Sequence, residues 1–389
     1  MRIAVPLETQ THEKRVAATP ETVKKFIAAG CEVVLEKGAG EAARFPDAAY
    51  AAVGATLAEN FKAACSDADL VLKVAPLNEN EIAQLKPGAV VAGHASPFTN
   101  PCLKQYNEHQ LSYFCMEMIP RISRAQSMDV LSSQANIAGY KAVLMATEYY
   151  QRFFPMLMTA AGTVQPAKVL VLGAGVAGLQ AIATAKRLGA MIEAFDVRAA
   201  AKEQVESLGA KFIRLEGVDA EDERGYAREL NAEEKAQLES LVADRCAAAD
   251  IIITTAQIPG RPSPELIKPE TVEKMRPGSV IIDLAAAGGG NCKLTRADEL
   301  IVHQGVTLVG VTNVPSLMAT DASQLYAKNL LNFISLMLDK ETATLAINLD
   351  DEVIESSLLC HQGEFRKPQL IGESAVSGEA GKGGKGEKA

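Results

Sequence analysis

The sequence predicts an α/β protein: two doubly wound, Rossmann-like parallel-sheet domains with a cleft between them. Three observations carry this. Short aliphatic runs alternate with helical stretches along most of the 389 residues, the pattern of parallel sheets covered on both faces. A stretch of the first half, "DADLVLKVAPLNENEIAQLKPGAVVAGH", is loosely repeated in the second as "AADIIITTAQIPGRPSPELIKPETVEKMRPGSVIIDLA", so one layout is used twice. A glycine-rich turn in the second half joins a strand to a helix, the junction at which open α/β sheets bind nucleotides.

In chain order, the candidate strands of the first half are "RIAVPL", "CEVVLEK", "ADLVLKVA", "AVVAGHA" and "LSYFCMEMI"; those of the second are "KVLVLG", "MIEAFDV", "KFIRLE", "DIIITTA", "SVIIDLA" and "VTLVGVT". Helix signals fall between several of them. "TPETVKKFIAAG" has Thr19 to cap the helix, Pro20 at its first position and Gly30 as its stop. "SSQANIAGYKAVLMATEYYQRFFPMLM" reads as a long helix entering the second domain, and "DASQLYAKNLLNFISLML" as a helix returning to the first. The expected domains are 1–130 with 322–371, discontinuous, and 131–321. The tail 372–389, "GESAVSGEAGKGGKGEKA", has one aliphatic residue larger than alanine and no aromatic, and is expected to be disordered.

A net charge of −9 gives no basic excess to meet phosphates, which argues against nucleic acid as a partner. The seven cysteines, Cys31, Cys65, Cys102, Cys115, Cys246, Cys292 and Cys360, lie far apart, odd in number and without a C-x-x-C pair. Reduced thiols in a cytosolic protein are expected, with no disulfide frame and no metal site. "MRIAVPLE" opens as an alternating strand and not as a signal peptide. The uncharged run "VLVLGAGVAGLQAIATA" approaches the length of a membrane span, but its glycines and its strand-to-helix change explain it as part of the nucleotide turn.

That turn is the clearest motif. In "KVLVLGAGVAGLQAIATAKRLGAMIEAFDV", Gly173, Gly175 and Gly178 form G-x-G-x-x-G, and Asp196 ends the next strand 18 residues beyond the last glycine. Gly173 permits the tight turn. Gly175 lets backbone approach a pyrophosphate at the helix N-terminus, and Gly178 lets helix and strand pack closely. Ala174 and Val176, between these glycines, are expected to line the cofactor with them, as are Val197 and Arg198 after the next strand. Asp196, flanked by Val197, would accept hydrogen bonds from the adenosine ribose and repel a 2′-phosphate, which favours NAD(H) over NADP(H). Arg198 weakens that choice slightly, or is a plain surface arginine. In the first half, "LEKGAGEAARF" lacks a third glycine and places Glu41 where a phosphate would sit; a turn without nucleotide is expected.

The stretch "PRISRAQSMDVLSSQ", Pro120 to Gln134, packs two arginines, two glutamines, an aspartate and several hydroxyls into fifteen residues. Such a mixture is either a solvated helix-capping loop or a set of donors and acceptors for a polar ligand.

With "AGTVQPAKVLVLGAGVAGLQAIATAKRLGA", that stretch closely resembles the NAD(H)-binding component of proton-translocating NAD(P) transhydrogenases, from "MRIAVPLET" to about residue 370. Alanine dehydrogenases are more distant relatives with the same two-domain layout. The resemblance implies a loop beside the nicotinamide whose functional members are Arg121, Gln126, Asp129 and Ser132. It implies a mobile lid within "EGVDAEDERGYARELNAEEKAQ" that closes through Tyr226. It also implies hydride exchange between NAD(H) here and NADP(H) on a partner subunit, proton translocation through a membrane partner, a homodimer, and a cytoplasmic position on the inner face of the membrane.

Hydride passage between two nicotinamide rings needs aligned rings and excluded water but no acid or base on this chain. An alanine dehydrogenase handles protons and needs a histidine with an aspartate. The residues matching its substrate-facing set, Arg15, Lys73 and His94, are present, but Ala287 stands where its catalytic aspartate belongs. A self-contained alanine dehydrogenase and a non-catalytic NAD-sensing module therefore remain as alternatives.

Overall fold

A computed structural model of the chain describes residues 1–198, 200–214 and 232–371. It contains two large sheets. The first is built from β1 (Arg2–Val5), β2 (Glu32–Glu36), β3 (Thr56–Ala58), β4 (Leu70–Leu72), β5 (Val90–Gly93) and β6 (Ser112–Cys115). A hairpin follows, β7 (Leu157–Thr159) and β8 (Gly162–Val164). The second sheet comprises β9 (Lys168–Leu172), β10 (Met191–Phe195), β11 (Lys211–Phe212), β12 (Ile251–Thr254), β13 (Val280–Asp283), β14 (Leu300–His303) and β15 (Val306–Val309). A short ribbon of β16 (Leu338–Asp339) and β17 (Thr344–Leu345) precedes β18 (Leu358–His361) and β19 (Glu364–Phe365), which rejoin the first sheet.

The sheet orders are β19-β18-β6-β5-β4-β1-β2-β3 and β11-β10-β9-β12-β13-β15-β14. Without the antiparallel strands, both follow the doubly wound order in which the chain reverses direction beside the first strand, between β1 and β4 or between β9 and β12. The loose repeat is real at this level. Its copies supply the parallel neighbours β4–β5 and β12–β13. The Lys-Pro-Gly and Arg-Pro-Gly turns before β5 and β13 both use a left-handed glycine, Gly88 at φ +81° and Gly278 at φ +87°. Aliphatic residues of these strands are buried on both faces, and each sheet accordingly has a hydrophobic core on either side.

The sheets are not wholly parallel. β14 pairs antiparallel with β15, and β18 pairs antiparallel with β6 and β19. The two hairpins turn on Gln304-Gly305 and Gln362-Gly363, all at positive φ, the two-residue geometry that matches strand twist. Each turn lies in a His-Gln-Gly tripeptide, a repeated signal that the strand pattern alone did not bring out.

The first helix, Pro20–Ala28, starts on Thr19 as expected. The helix expected to run on through "FFPMLM" is Val130–Tyr149. Proline at 155 cannot continue a helix, and the chain goes into the β7–β8 hairpin instead. Val130, at its start, lies in the core of the first sheet; Ala142, Val143 and Ala146, further on, lie in the core of the second. The returning helix is Ala319–Ile334 and sets Tyr326, Leu330 and Phe333 into the first core. Gly38 and Gly40 of the first-half glycine pair form a turn, with Gly38 at φ +78° and a 3-10 turn over Glu41–Ala43.

Candidate dinucleotide site

The site begins where β9 ends. Gly173 is at φ +100°, and a Cβ there would stand 2.5 Å from Thr255 Oγ1, a hydroxyl that donates to Gly173 O at 3.0 Å. A Cβ on Gly178 would lie 1.9 Å from Gly173 O. These glycines are obligatory for packing. Gly175 differs: its φ is −75°, and a Cβ would meet nothing within 4 Å. It caps the helix Val176–Arg187, whose first turn has no acidic residue and no side-chain cap. The backbone donors of that turn are left for an anion. Ala174 is buried, and Val176 is partly exposed at the helix start.

Asp196 follows β10 and reaches back to the turn. Its Oδ2 accepts the Ala174 N–H at 2.7 Å, and its Oδ1 accepts the Arg198 N–H at 2.8 Å. The Arg198 guanidinium closes on the same carboxylate, Nε to Oδ1 and Nη2 to Oδ2, both at 2.9 Å. Burial pushes the Asp196 carboxyl up, but the hydrogen bonds and charge of Arg198 with the Ala174 N–H hold it below the usual range. Val197 between them is exposed.

The opposite wall is stitched by buried polar groups that sequence reasoning missed. Asn291 Oδ1 accepts the Ala256 N–H at 3.0 Å, and its Nδ2 donates to the carbonyls of Ala256 and Pro264, both at 2.8 Å. Asp283 accepts from the Thr254 and Thr295 hydroxyls and from the Ala285 and Cys292 N–H groups. Together they fix the loops after β12 and β13, beside the crevice between β9 and β12. A lone aspartate ending an aliphatic strand, followed by Gly-Gly-Gly-Asn, was the available signal. From the other sheet, the exposed ring of Phe98 packs on Gly260, where a Cβ would stand 2.8 Å away. The loop after β5 of the first sheet therefore meets the loop after β12 of the second.

The polar stretch at 120–134 divides in two. Ser123–Met128 forms a 3-10 turn, and the helix starts at Val130 with Asp129 as its cap. Asp129 Oδ1 accepts the Ser132 N–H at 2.9 Å, and the Ser132 hydroxyl donates to Asp129 Oδ2 at 2.6 Å. Both residues thus serve the helix start. The side chains of Arg121 and Gln126 are exposed and have no hydrogen-bond or ion-pair partner among the described residues. The helix then meets the glycine turn. A Cβ on Gly139 would lie 2.0 Å from Ala177 O, so only glycine lets this helix approach the first turn of Val176–Arg187. Ten residues separate Asp129 from Gly139, about 15 Å of helix. Tyr226 lies outside the described residues, as does the tail 372–389.

Arg15, Lys73 and His94 gather in the first half, each with a carboxylate of its own. Arg15 pairs with Glu13 through two nitrogens, Nε to Oε1 at 2.8 Å and Nη2 to Oε2 at 2.6 Å, and donates to Gln134 Oε1 at 2.9 Å. Lys73, 1% exposed, lies 2.9 Å from Glu81 Oε1 and 3.2 Å from Glu8 Oε2. His94 Nδ1 is 3.3 Å from Glu117 Oε1, and its ring stacks on Tyr326. Burial pushes the Glu117 carboxyl up, but His94, Cys115 and the Ser96 N–H outweigh it and hold it at about 2. Ala287 is exposed in a short turn and carries no acid or base. Among the described residues, no group of three or more His, Cys, Asp or Glu is placed to hold a metal, and no helix is long and apolar enough to cross a membrane.

Two family models match: the alanine dehydrogenase/PNT N-terminal domain over residues 4–138 and the C-terminal domain over residues 142–368. The chain is 50% identical over 384 residues to the first part of NAD(P) transhydrogenase subunit alpha of Rhodospirillum rubrum, covering 96% of this chain and 100% of that one. Among solved structures, the transhydrogenase from Sinorhizobium meliloti matches at TM-score 0.86 and 46% identity, over 94% of this chain and 100% of that chain. An L-alanine dehydrogenase matches at TM-score 0.78 and 24% identity, over 96% and 99%, a likeness of fold.

Proposed function

We propose that this chain, which belongs to the alanine dehydrogenase/PNT family through both of its halves, is the NAD(H)-binding alpha component of an NAD(P) transhydrogenase. Its NADH gives a hydride from C4 of the nicotinamide to C4 of NADP⁺ on a partner subunit, leaving NAD⁺ and NADPH. A further, membrane-embedded partner couples that exchange to proton movement, and the chain sits at the inner face of the cytoplasmic membrane through these partners.

One contrast carries the reading. Arg15, Lys73 and His94, the groups that would clamp and protonate a small acid, are each held against one or two carboxylates of this chain. Arg121 and Gln126 are exposed and unpaired among the described residues. The donors left available thus suit the amide, hydroxyls and phosphate of a dinucleotide. The residues of the turn fit that ligand: Gly175 leaves room for the pyrophosphate against the free first-turn N–H groups, and Asp196 stands where the adenosine ribose would lie. Arg121 and Gln126 would orient the nicotinamide end. Asp129 and Ser132 would act through them, by fixing where the loop ends and the helix begins. Alignment of the two rings, and not acid–base chemistry, is what this chain has to supply.

The division of the chain into 1–130 with 322–371 and 131–321 is supported by the return of β18 and β19 to the first sheet. A homodimer is supported by the apolar patch on the β7–β8 hairpin and the segment leading into it, where Phe153, Met156 and Met158 are more than half exposed.

The test is reduction of an NADP⁺ analogue by NADH, with and without the NADP-binding partner. Activity that requires the partner is expected. Oxidation of NADH that depends on pyruvate and ammonia, by this chain alone, would overturn the proposal in favour of an alanine dehydrogenase. Tight NADH binding with neither activity would leave a sensing module.

A further inference from the structure

The loop that carries Arg121 and Gln126 is held from outside, by residues distant in sequence. Ala125 and Met128 anchor its underside in the first core. Ser127 O accepts from Asn329 Nδ2 at 2.8 Å and from Asn332 Nδ2 at 3.1 Å, both on the returning helix. Asn329 also accepts the Ser133 hydroxyl at 2.7 Å. On the outer side, Arg124 meets Asp351 through two parallel bonds, Nη1 to Oδ2 at 2.7 Å and Nη2 to Oδ1 at 2.8 Å, across 227 residues of chain.

Asp351 is itself immobilised. Its Oδ1 accepts the Val353 N–H at 2.9 Å and caps the helix Glu352–Ser357. Val353 and Ile354 are buried in the first core, and the helix runs straight into β18, which pairs with β6. β6 in turn leads into the loop. One C-terminal element therefore holds the loop's entry through a strand pair and its middle through an ion pair.

An exposed ion pair contributes little to stability, and Arg124 is about half exposed. Its two-bond geometry instead fixes direction, since a guanidinium and a carboxylate joined this way share one plane. Hydrogen bonding to Arg124 holds the Asp351 carboxyl down at about 2, so the pair stays charged at neutral pH. We propose that Arg124 and Asp351 are positioning residues: their ion pair, with the Asn329–Ser127 bond, sets the aim of the loop bearing Gln126 and Arg121. This rests on the reading of that loop as the nicotinamide-facing one.

The test uses the full chain with Arg124→Ala and with Asp351→Ser, the latter chosen because serine still caps the short helix. In the chain alone, backbone amides 122–129 should exchange about two- to fivefold faster in either variant, with those of β6 unchanged. With the partner present, hydride transfer should fall about tenfold while the NADH dissociation constant stays within about twofold, the mark of misalignment. The double variant should be no worse than either single one. Exchange and transfer both unchanged would overturn the proposal. So would faster exchange with unchanged transfer, NADH affinity lost in step with rate, or additive losses in the double variant. The exchange measurement needs no partner. If the wild-type chain shows no transhydrogenation, the functional reading falls, while the exchange result still decides whether the ion pair holds the loop.

Discussion

Arg198 and Asp196 form a closed ion pair at the end of β10, with both carboxylate oxygens already accepting from the guanidinium and the backbone. A ribose seeking that carboxylate must displace the arginine. Since Arg198 is 59% exposed, the displacement costs no more than about 1 kcal/mol. Arg198→Ala is expected to leave NADH binding unchanged or tighten it up to about fivefold, in line with that cost. Asp196→Ala is expected to weaken NADH about tenfold or more and to narrow the preference over NADPH. The chain has no tryptophan, so NADH fluorescence reads both directly. A tenfold loss in the arginine variant would show that Arg198 holds the nucleotide and does not compete with it.

Two glycines separate packing from binding. Gly139→Ala drives a methyl into Ala177 O and should cost about 1–3 kcal/mol of stability, read as a lower melting temperature, by prying the long helix off the glycine turn. Gly175→Ala meets open space at an ordinary φ. It should melt like the wild type but bind NADH at least about tenfold more weakly, since the methyl occupies the pyrophosphate's approach. If Gly175→Ala lost stability and kept its affinity, the open space beside it would have no ligand to serve.

Gln126→Asn shortens an exposed side chain that has no partner to lose among the described residues. Hydride transfer with the partner subunit should slow about tenfold or more, with NADH affinity within about threefold. Equal losses in both would make Gln126 an affinity element, contrary to the alignment role.

Acid titration examines the buried cluster. The Glu117 carboxyl sits at about 2 in the folded chain against an ordinary 4.5. A depressed folded pKa contributes stability that is complete above 4.5 and is lost as the pH falls towards 2. Glu117→Gln should therefore be less stable than wild type at pH 7, and should lose stability less steeply between about pH 5 and pH 3. Urea unfolding at several pH values measures this, and parallel curves would refute it.

The glycine turn was legible because each of its demands is local. Backbone twist at Gly173 and close packing at Gly178 concern atoms a few residues away or in the adjacent strand. The Thr19 cap and the parallel strands were legible for the same reason. The antiparallel hairpins were not read from the strand pattern, although the two His-Gln-Gly turns carry a signal for them, and assigning β18 and β19 to the first sheet requires knowing that the chain comes home. The long helix was overextended because the apolar and aromatic pattern continues through Phe153 and Phe154, whereas the backbone already turns extended at Tyr150.

By itself the sequence determined the strand-and-helix alternation, the duplicated layout and the one dinucleotide turn, since periodicity and glycine placement act over a few residues. Only the tertiary structure decided which polar groups remain available. Arg15, Lys73 and His94 look like a substrate set in the linear chain, and folding gives each a carboxylate. Arg124, an ordinary loop arginine in the sequence, is joined to Asp351 across 227 residues. Charge pairing depends on distance in space and on exclusion of water, and the Arg124–Asp351 pair has its distance only once the C-terminal segment has packed back on the first sheet.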